Sequence, residues 1–466
     1  MSATSLSTGV ADFARVGLSR LQTLASSLTS TTSVLILSAA TVVIYIRTRR
    51  EAISETPVCV RDYEELARRA LARRPTRGAC EYFLSGAGDE VTKRRTDLAL
   101  RRLVLLPRML IDVSGATIAH TLLGAPTAAP FGIAPTAFHA IAHDDAEVAV
   151  SRAAANAGVV YCVSSSSSTP FEAVSQAAPH GRRLYQLYYR TSRALNEAIL
   201  KSAEAAGAEA IVLTCVCPFN PRARVGTIAL HPFHPPPLLL RTTVVFFIPR
   251  RVDRPVLGTR DANVRTKFTL PGRDPSDRNG NACAYHDSAI SDALSWSDVS
   301  WMVRTTRLPI ILKGILTGED AALAVAAGVA GVWVSTHGGR QLDCVASSVE
   351  ALREVIRAVR TAEDEASTRK RRRAILQNSP SGGPRVAVWV DGGVRRGTDI
   401  VKYLALGADF VWAGTAVICG LAVGGEAGVA DVLRILMEET KTAMQLLGAR
   451  SVAEISPAHV RAAEGE

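Results

Sequence analysis

Residues 308–340 read LPIILKGILTGEDAALAVAAGVAGVWVSTHGGR. Two apolar runs rich in β-branched residues, Pro309 to Lys313 and Gly331 to Ser335, flank an Ala-rich stretch, and each run ends in polar residues. Runs without alternation, separated by a helix, are what parallel strands buried on both faces require. The unit recurs. Strands are also expected at Phe131 to Ala134, Val159 to Ser164, Leu184 to Tyr188, Ala210 to Thr214, Val386 to Asp391 and Phe410 to Gly414, which makes eight. Their starts lie 28, 25, 26, 99, 22, 55 and 24 residues apart, and the two wide gaps hold segments of different composition. Eight such units in one domain predict a closed (β/α)₈ barrel, the TIM-barrel fold. A doubly wound open sheet is the alternative, but no G-x-G-x-x-G follows the first strand.

Working outward, the chain has 466 residues, 47% of them hydrophobic and 21% charged, which excludes wholesale disorder. Lys and Arg number 54 against 43 acids, for a net charge of +11. Residues 1–50 carry +4, 215–251 carry +5 and 361–385 carry +3, so everything else comes to −1. A near-neutral body without a basic aromatic stripe gives no reason to expect nucleic acid as a partner. The eight cysteines lack a repeating spacing and read as reduced thiols; Cys215-x-Cys217 alone is a weak metal signal, and no metal is expected.

Residues 1–27 form a Ser/Thr-rich tail. Leu28 to Ile46 is a 19-residue stretch without a charge that stops at Arg47-Thr-Arg-Arg50. As a helix it would rise about 28 Å, roughly the hydrocarbon thickness of a bilayer. Residues 28–50 therefore read as a single-pass membrane anchor with its Arg stop, which keeps the barrel in the cytoplasm or an equivalent compartment. A mitochondrial presequence is the alternative. The ending Ala-Ala-Glu-Gly-Glu466 is not of the Ser-Lys-Leu type that would address a peroxisome. An N-terminal helical segment is expected over 51–110 and the barrel over 111–466. Residues 215–251 hold seven of the 22 prolines and no acid, and read as a loop insertion with an apolar patch at Leu238 to Ile248. Residues 361–385 read as a solvated basic linker.

A barrel of this kind places its chemistry at the C-terminal strand ends. Lys313 ends an otherwise apolar strand, and such a cation requires an anionic partner. His337 and Arg340 share one loop; the first suits proton abstraction near neutral pH, the second a two-pronged grip on a carboxylate. Asp391-Gly-Gly-Val-Arg395, with Gly414-Thr415 after the last strand, offers N–H groups and a guanidinium to a phosphate.

These motifs resemble those of the FMN-dependent α-hydroxy-acid oxidase and dehydrogenase family, to which glycolate oxidase belongs. The likeness runs from about Val60 to about Val460 with both inserts removed. It includes Tyr82-Phe-Leu-Ser-Gly-Ala, Leu106-Pro-Arg-Met-Leu-Ile-Asp-Val, Ile133-Ala-Pro-Thr-Ala, Gln186-Leu-Tyr, Leu308-Pro-Ile-Ile-Leu-Lys-Gly, Val334-Ser-Thr-His-Gly-Gly-Arg-Gln-Leu-Asp343 and Asp391-Gly-Gly-Val-Arg-Arg-Gly-Thr-Asp399. The resemblance implies FMN as cofactor and oxidation of an L-2-hydroxy acid to the 2-oxo acid. His337 would be the base as a hydride equivalent passes to flavin N5, and Asp253 would stabilise the imidazolium. Arg260 and Arg340 would hold the substrate carboxylate, aided by Tyr82 from a helical lid, with Tyr188 on the reacting oxygen. FMN would meet Pro135, Thr136, Ala137, Ser164, Gln186, Tyr188, Thr214, Lys313 and Ser335. Its ribityl and phosphate end would meet Asp391, Gly392, Gly393, Val394, Arg395, Gly414 and Thr415.

Three positions depart from the family pattern. Thr415 stands where a second phosphate Arg is usual, Thr336 where Asn precedes the base, and Ser166 where glycolate oxidase has a large aromatic, which implies room for bulkier 2-hydroxy acids. The insert separates Thr214 from Asp253, so a flavin barrel with impaired catalysis is one alternative and another phosphate-binding barrel enzyme, such as an FMN-dependent isomerase, a second. Oxygen or another electron acceptor and, by resemblance, a homotetramer complete the expected partners.

Overall fold

The computed structural model describes residues 57–76, 78–216, 290–377 and 385–463. The expected anchor at 28–50, most of the 215–251 insert, and Asp253 and Arg260 lie outside these residues. The chain divides after Val58 into two units, of which the second, Cys59–Glu466, contains the barrel.

Eight parallel strands close on themselves: β1 (Phe131–Ile133), β2 (Tyr161–Ser164), β3 (Arg183–Leu187), β4 (Ile211–Thr214), β5 (Ile310–Ile315), β6 (Gly331–Val334), β7 (Ala387–Asp391) and β8 (Phe410–Ala413), with β8 pairing to β1. Each coincides with an expected strand to within two residues at either end. The open sheet is thereby excluded.

Side chains alternate along each strand. Phe131, Ile133, Val163, Leu213, Leu312, Val332, Val390 and Val411 face the helical shell. Val160, Cys162, Leu184, Val212, Ile311, Trp333, Trp389 and Trp412 fill the interior. Three indoles dominate that interior, with Trp333 and Trp412 stacked at 4.5 Å between ring centroids and Trp389 at 5.2 Å from Trp412. They fit because β1 contributes Gly132 to the same layer. A Cβ there would lie 2.7 Å from both the Trp412 ring and the Val160 carbonyl oxygen. Gly132→Ala is expected to destabilise the protein by about 1–3 kcal/mol, because a backbone carbonyl cannot move aside; chemical denaturation checks this, and a loss below a few tenths of that would contradict the packing.

Helices Val60–Ala72, Ala79–Leu84 and Val91–Arg102 precede the barrel, and strand Leu103–Leu105 pairs with Val460–Ala462, tying this segment to the C-terminal end. A hairpin, His120–Leu122 with Ala125–Thr127, places Leu122 against the interior cluster.

One expectation is corrected. Residues 361–377 are not linker but continue the helix Ser348–Gln377. The run lacks Pro and Gly until Pro380 and is rich in Ala, Glu, Lys and Arg, all good helix formers. Arg360 and Glu363 pair on this helix at 2.7 Å. The helix Thr415–Leu446 is long and apolar enough to cross a membrane, yet most of it is buried and it breaks at Gly424 and Gly425, as a core helix hairpin would.

Candidate active site

The next inward position on each strand, one step above the apolar interior, holds Ala134, Ser164, Gln186, Thr214, Lys313, Ser335, Asp391 and Gly414. This ring lies at the C-terminal strand ends and is where polarity begins.

On one side the Gln186 amide is fixed at both ends. Its Oε1 accepts from Ser164 Oγ at 3.1 Å and from the Ser165 N–H at 3.2 Å, and its Nε2 donates to Thr214 Oγ1 at 2.9 Å. On the other side Lys313 Nζ donates to Ser335 Oγ at 2.9 Å, that hydroxyl donates to Asp391 Oδ2 at 2.9 Å, and the cation stands 3.3 Å from the carboxylate. Lys313 also lies 5.4 Å over the Trp333 ring. All three are buried, which is tolerable because charge is met by charge. Asp391 Oδ1 is buried with no hydrogen-bond partner among the described residues.

The loop after β6 turns sharply. His337 takes φ +56°, a left-handed conformation, followed by Gly338 at +67° and Gly339 at +69°. Such backbone persists only where surroundings fix it. Here the His337 N–H donates to Ser335 Oγ at 3.0 Å and the Gly339 N–H to Thr336 Oγ1 at 3.2 Å. Burial first, then the Lys313 and Arg340 cations, hold the imidazole well below its usual range, so it is neutral at physiological pH. Its Nδ1 is buried and has no hydrogen-bond partner among the described residues. The Arg340 guanidinium stacks 4.9 Å over the Tyr82 ring.

The same loop is bound to the N-terminal helices. Gly339 O accepts from Ala87 N at 2.8 Å, and Asp343 accepts from the N–H groups of Asp89, Val91 and Thr92 at 3.0, 3.2 and 2.8 Å. Asp343 thus caps the helix Val91–Arg102 from a distant loop, a role its place in the sequence motif did not disclose. Tyr82 in turn lies 6.0 Å from Phe138, just beyond Pro135, Thr136 and Ala137. Gly414 sits against Ala134 and Thr136. At the end of β3 the Tyr188 N–H approaches Ser165 Oγ at 3.4 Å.

Arg395, which follows β7, is ion-paired in the structure. Its Nε donates to Glu64 at 2.6 Å and its Nη1 to Asp97 at 3.3 Å, carboxylates from helices some three hundred positions away. Two acids thus fix the direction of the guanidinium. Beside it lie Gly392 and Gly393 at φ +114° and +67°, the buried Val394, and the start of the helix at Thr415. Among the described residues no cluster has the makings of a metal site.

The donors and acceptors present fit FMN. The orphaned Asp391 Oδ1 calls for a hydroxyl donor, Lys313 offers a buried cation, and the Gly392–Gly393 turn with the helix start offers N–H groups to a phosphate.

Buried histidines also set a pH limit on stability. Burial holds His139 below its ordinary value despite the opposing Glu147 charge, and His337 likewise. Each binds its proton more readily when unfolded, so stability is full above about pH 6.5 and falls as pH drops through that unfolded value. His139→Leu is expected to flatten the slope of denaturation free energy between about pH 5 and 7; an unaltered slope would contradict it.

The closed barrel thus carries at its polar mouth a buried cation, Lys313, with His337 and Arg340 on the neighbouring loop. The chain belongs to the FMN-dependent dehydrogenase family, which matches residues 71–462. It is 38% identical over 415 residues to the peroxisomal (S)-2-hydroxy-acid oxidase of Oryza sativa subsp. japonica, covering 87% of this chain and 96% of that one. It is 37% identical over 404 residues to human 2-hydroxyacid oxidase 2, covering 86% and 97%. Among solved structures it resembles mandelate oxidase with (S)-4-hydroxymandelic acid (TM-score 0.67, 31% identity, 87% and 98% covered). It also resembles the flavin-binding domain of baker's yeast flavocytochrome b2 (TM-score 0.65, 28% identity, 87% and 86% covered). FMN is its cofactor.

Proposed function

We propose that this protein oxidises an (S)-2-hydroxy acid to the 2-oxo acid at the barrel mouth. Bound FMN supplies the two-electron acceptor. The observation that carries the reading is His337, a neutral imidazole whose buried Nδ1 has no partner among the described residues, three residues from Arg340. In this reading Nε2 takes the substrate proton, and Asp253 meets Nδ1 and stabilises the cation that forms. Arg340 and Arg260 hold the carboxylate, Tyr82 closes over it as part of a helical lid, and Tyr188 bonds the reacting oxygen. Lys313, Gln186, Thr214, Ser164 and Ser335 bond the polar edge of the flavin, Pro135 to Ala137 its other edge, and Asp391 to Val394 with Gly414 and Thr415 its ribityl phosphate. Arg395, steadied by Glu64 and Asp97, would join them at the phosphate. The relatives are oxidases, which favours an active enzyme over a barrel impaired by its insert.

Ser166, small and fully buried beside Phe138, supports a bulky substrate side chain such as that of mandelate. Residues 28–46 anchor the enzyme in a membrane, and four copies assemble. Turnover of glycolate, (S)-lactate and (S)-mandelate by the purified holoenzyme tests the substrate: kcat/KM rises in that order, and a preference for glycolate would contradict the pocket assignment. Rapid reoxidation in air identifies oxygen as the acceptor; slow reoxidation identifies another.

A further inference from the structure

Glu147 lies in the first turn of the helix Ala146–Ala157, is fully buried, and takes no part in the proposed chemistry. Its two carboxylate oxygens accept four hydrogen bonds. Oε1 takes the His139 N–H at 3.1 Å and the Ser168 N–H at 2.8 Å; Oε2 takes the Thr169 N–H at 3.1 Å and Thr169 Oγ1 at 2.9 Å. One donor comes from the loop after β1 and three from the loop after β2. The same two loops meet again where Phe138 N donates to Ser166 O and Ala140 N to Ser168 Oγ, both at 3.1 Å. Between these bonds Phe138 is held at φ +57°, left-handed and unfavourable for an aromatic residue. Such a corner keeps its shape only if its neighbours are pinned. The corner sits directly after Pro135 to Ala137 and carries the ring that packs on Tyr82. The second loop carries Ser164 to Ser166, of which Ser164 orients Gln186.

We infer that Glu147 is a positioning residue: it fastens the loops after β1 and β2 into one wall and thereby sets where the flavin edge and the substrate side chain rest. The inference rests on the proposed flavin chemistry. A carboxylate suits the task because it accepts only; an amide in its place would turn two donors toward the Thr169 donors.

The test uses holoenzyme of wild type, Glu147→Gln and Thr169→Val, the second removing only the hydroxyl donor to Glu147 and leaving its three backbone donors. Hydrogen exchange of the His139, Ser168 and Thr169 amides, the visible circular dichroism of bound FMN, and kcat and KM for (S)-mandelate are measured. In Glu147→Gln those amides should exchange faster, the flavin dichroism should change shape and kcat/KM should fall by about a hundredfold, as small misplacements at a reacting centre do. Thr169→Val should move all three the same way by a few-fold. Native dichroism and kcat/KM in either soluble variant, with only the melting temperature lowered, would reduce Glu147 to a structural residue and overturn the inference. If Glu147→Gln does not fold, Thr169→Val decides by the same criterion. Wild-type flavin that no 2-hydroxy acid bleaches would instead sink the proposed 2-hydroxy-acid oxidation.

Discussion

Replacing His337 by glutamine lowers kcat by about 10²–10⁴-fold while the purified protein stays yellow. The size follows from what is removed. The imidazole is kept neutral by burial and by two cations, so it is ready to accept a proton at physiological pH, and glutamine has no basic nitrogen to offer. Binding should survive, because what fixes this loop is backbone: the residue 337 N–H on Ser335 Oγ and the Gly339 carbonyl on Ala87. Steady-state kinetics with the flavin-to-protein ratio measured alongside checks both halves. Turnover within tenfold of wild type would remove His337 from the chemistry; colourless protein would make it a structural residue.

Lys313→Met is expected to cost about 3–5 kcal/mol of stability, since it leaves the Asp391 carboxylate buried without its cation. Adding Asp391→Asn should restore part of the loss, because the remaining amide and Ser335 hydroxyl form a neutral pair. Urea denaturation of the two proteins without flavin reads the coupling between the sites. The Lys313→Met protein should also emerge from gel filtration with little flavin, having lost the cation at the ring's polar edge. A single variant within about 1 kcal/mol of wild type would mean that the Lys313–Ser335–Asp391 chain does not bear charge as described.

Much of this was legible in the sequence, for physical reasons. Strands buried on both faces must be continuously apolar, so their runs stand out, and a lone Lys at the end of one has few explanations except a partner. The same continuity hides which side faces inward, and so the three interior indoles could not be assigned before the strands were closed. Glu147 was missed because an acid in a helix's first turn is ordinary, favoured by the helix dipole alone. Glu64 and Asp97 were missed because nothing local ties them to Arg395; their pairing exists only once helices from the start of the chain lie beside the loop after β7. The helix through 377 was read as linker because its charge drew more notice than its lack of breakers.

Mixing the purified yellow protein with (S)-mandelate in the absence of oxygen, in a stopped-flow spectrometer, tests the central reading most directly. Loss of the flavin absorbance in a single fast phase, abolished by His337→Gln and absent with the (R) enantiomer, is the result expected. Absorbance unchanged by (S)-mandelate, (S)-lactate and glycolate alike would contradict it.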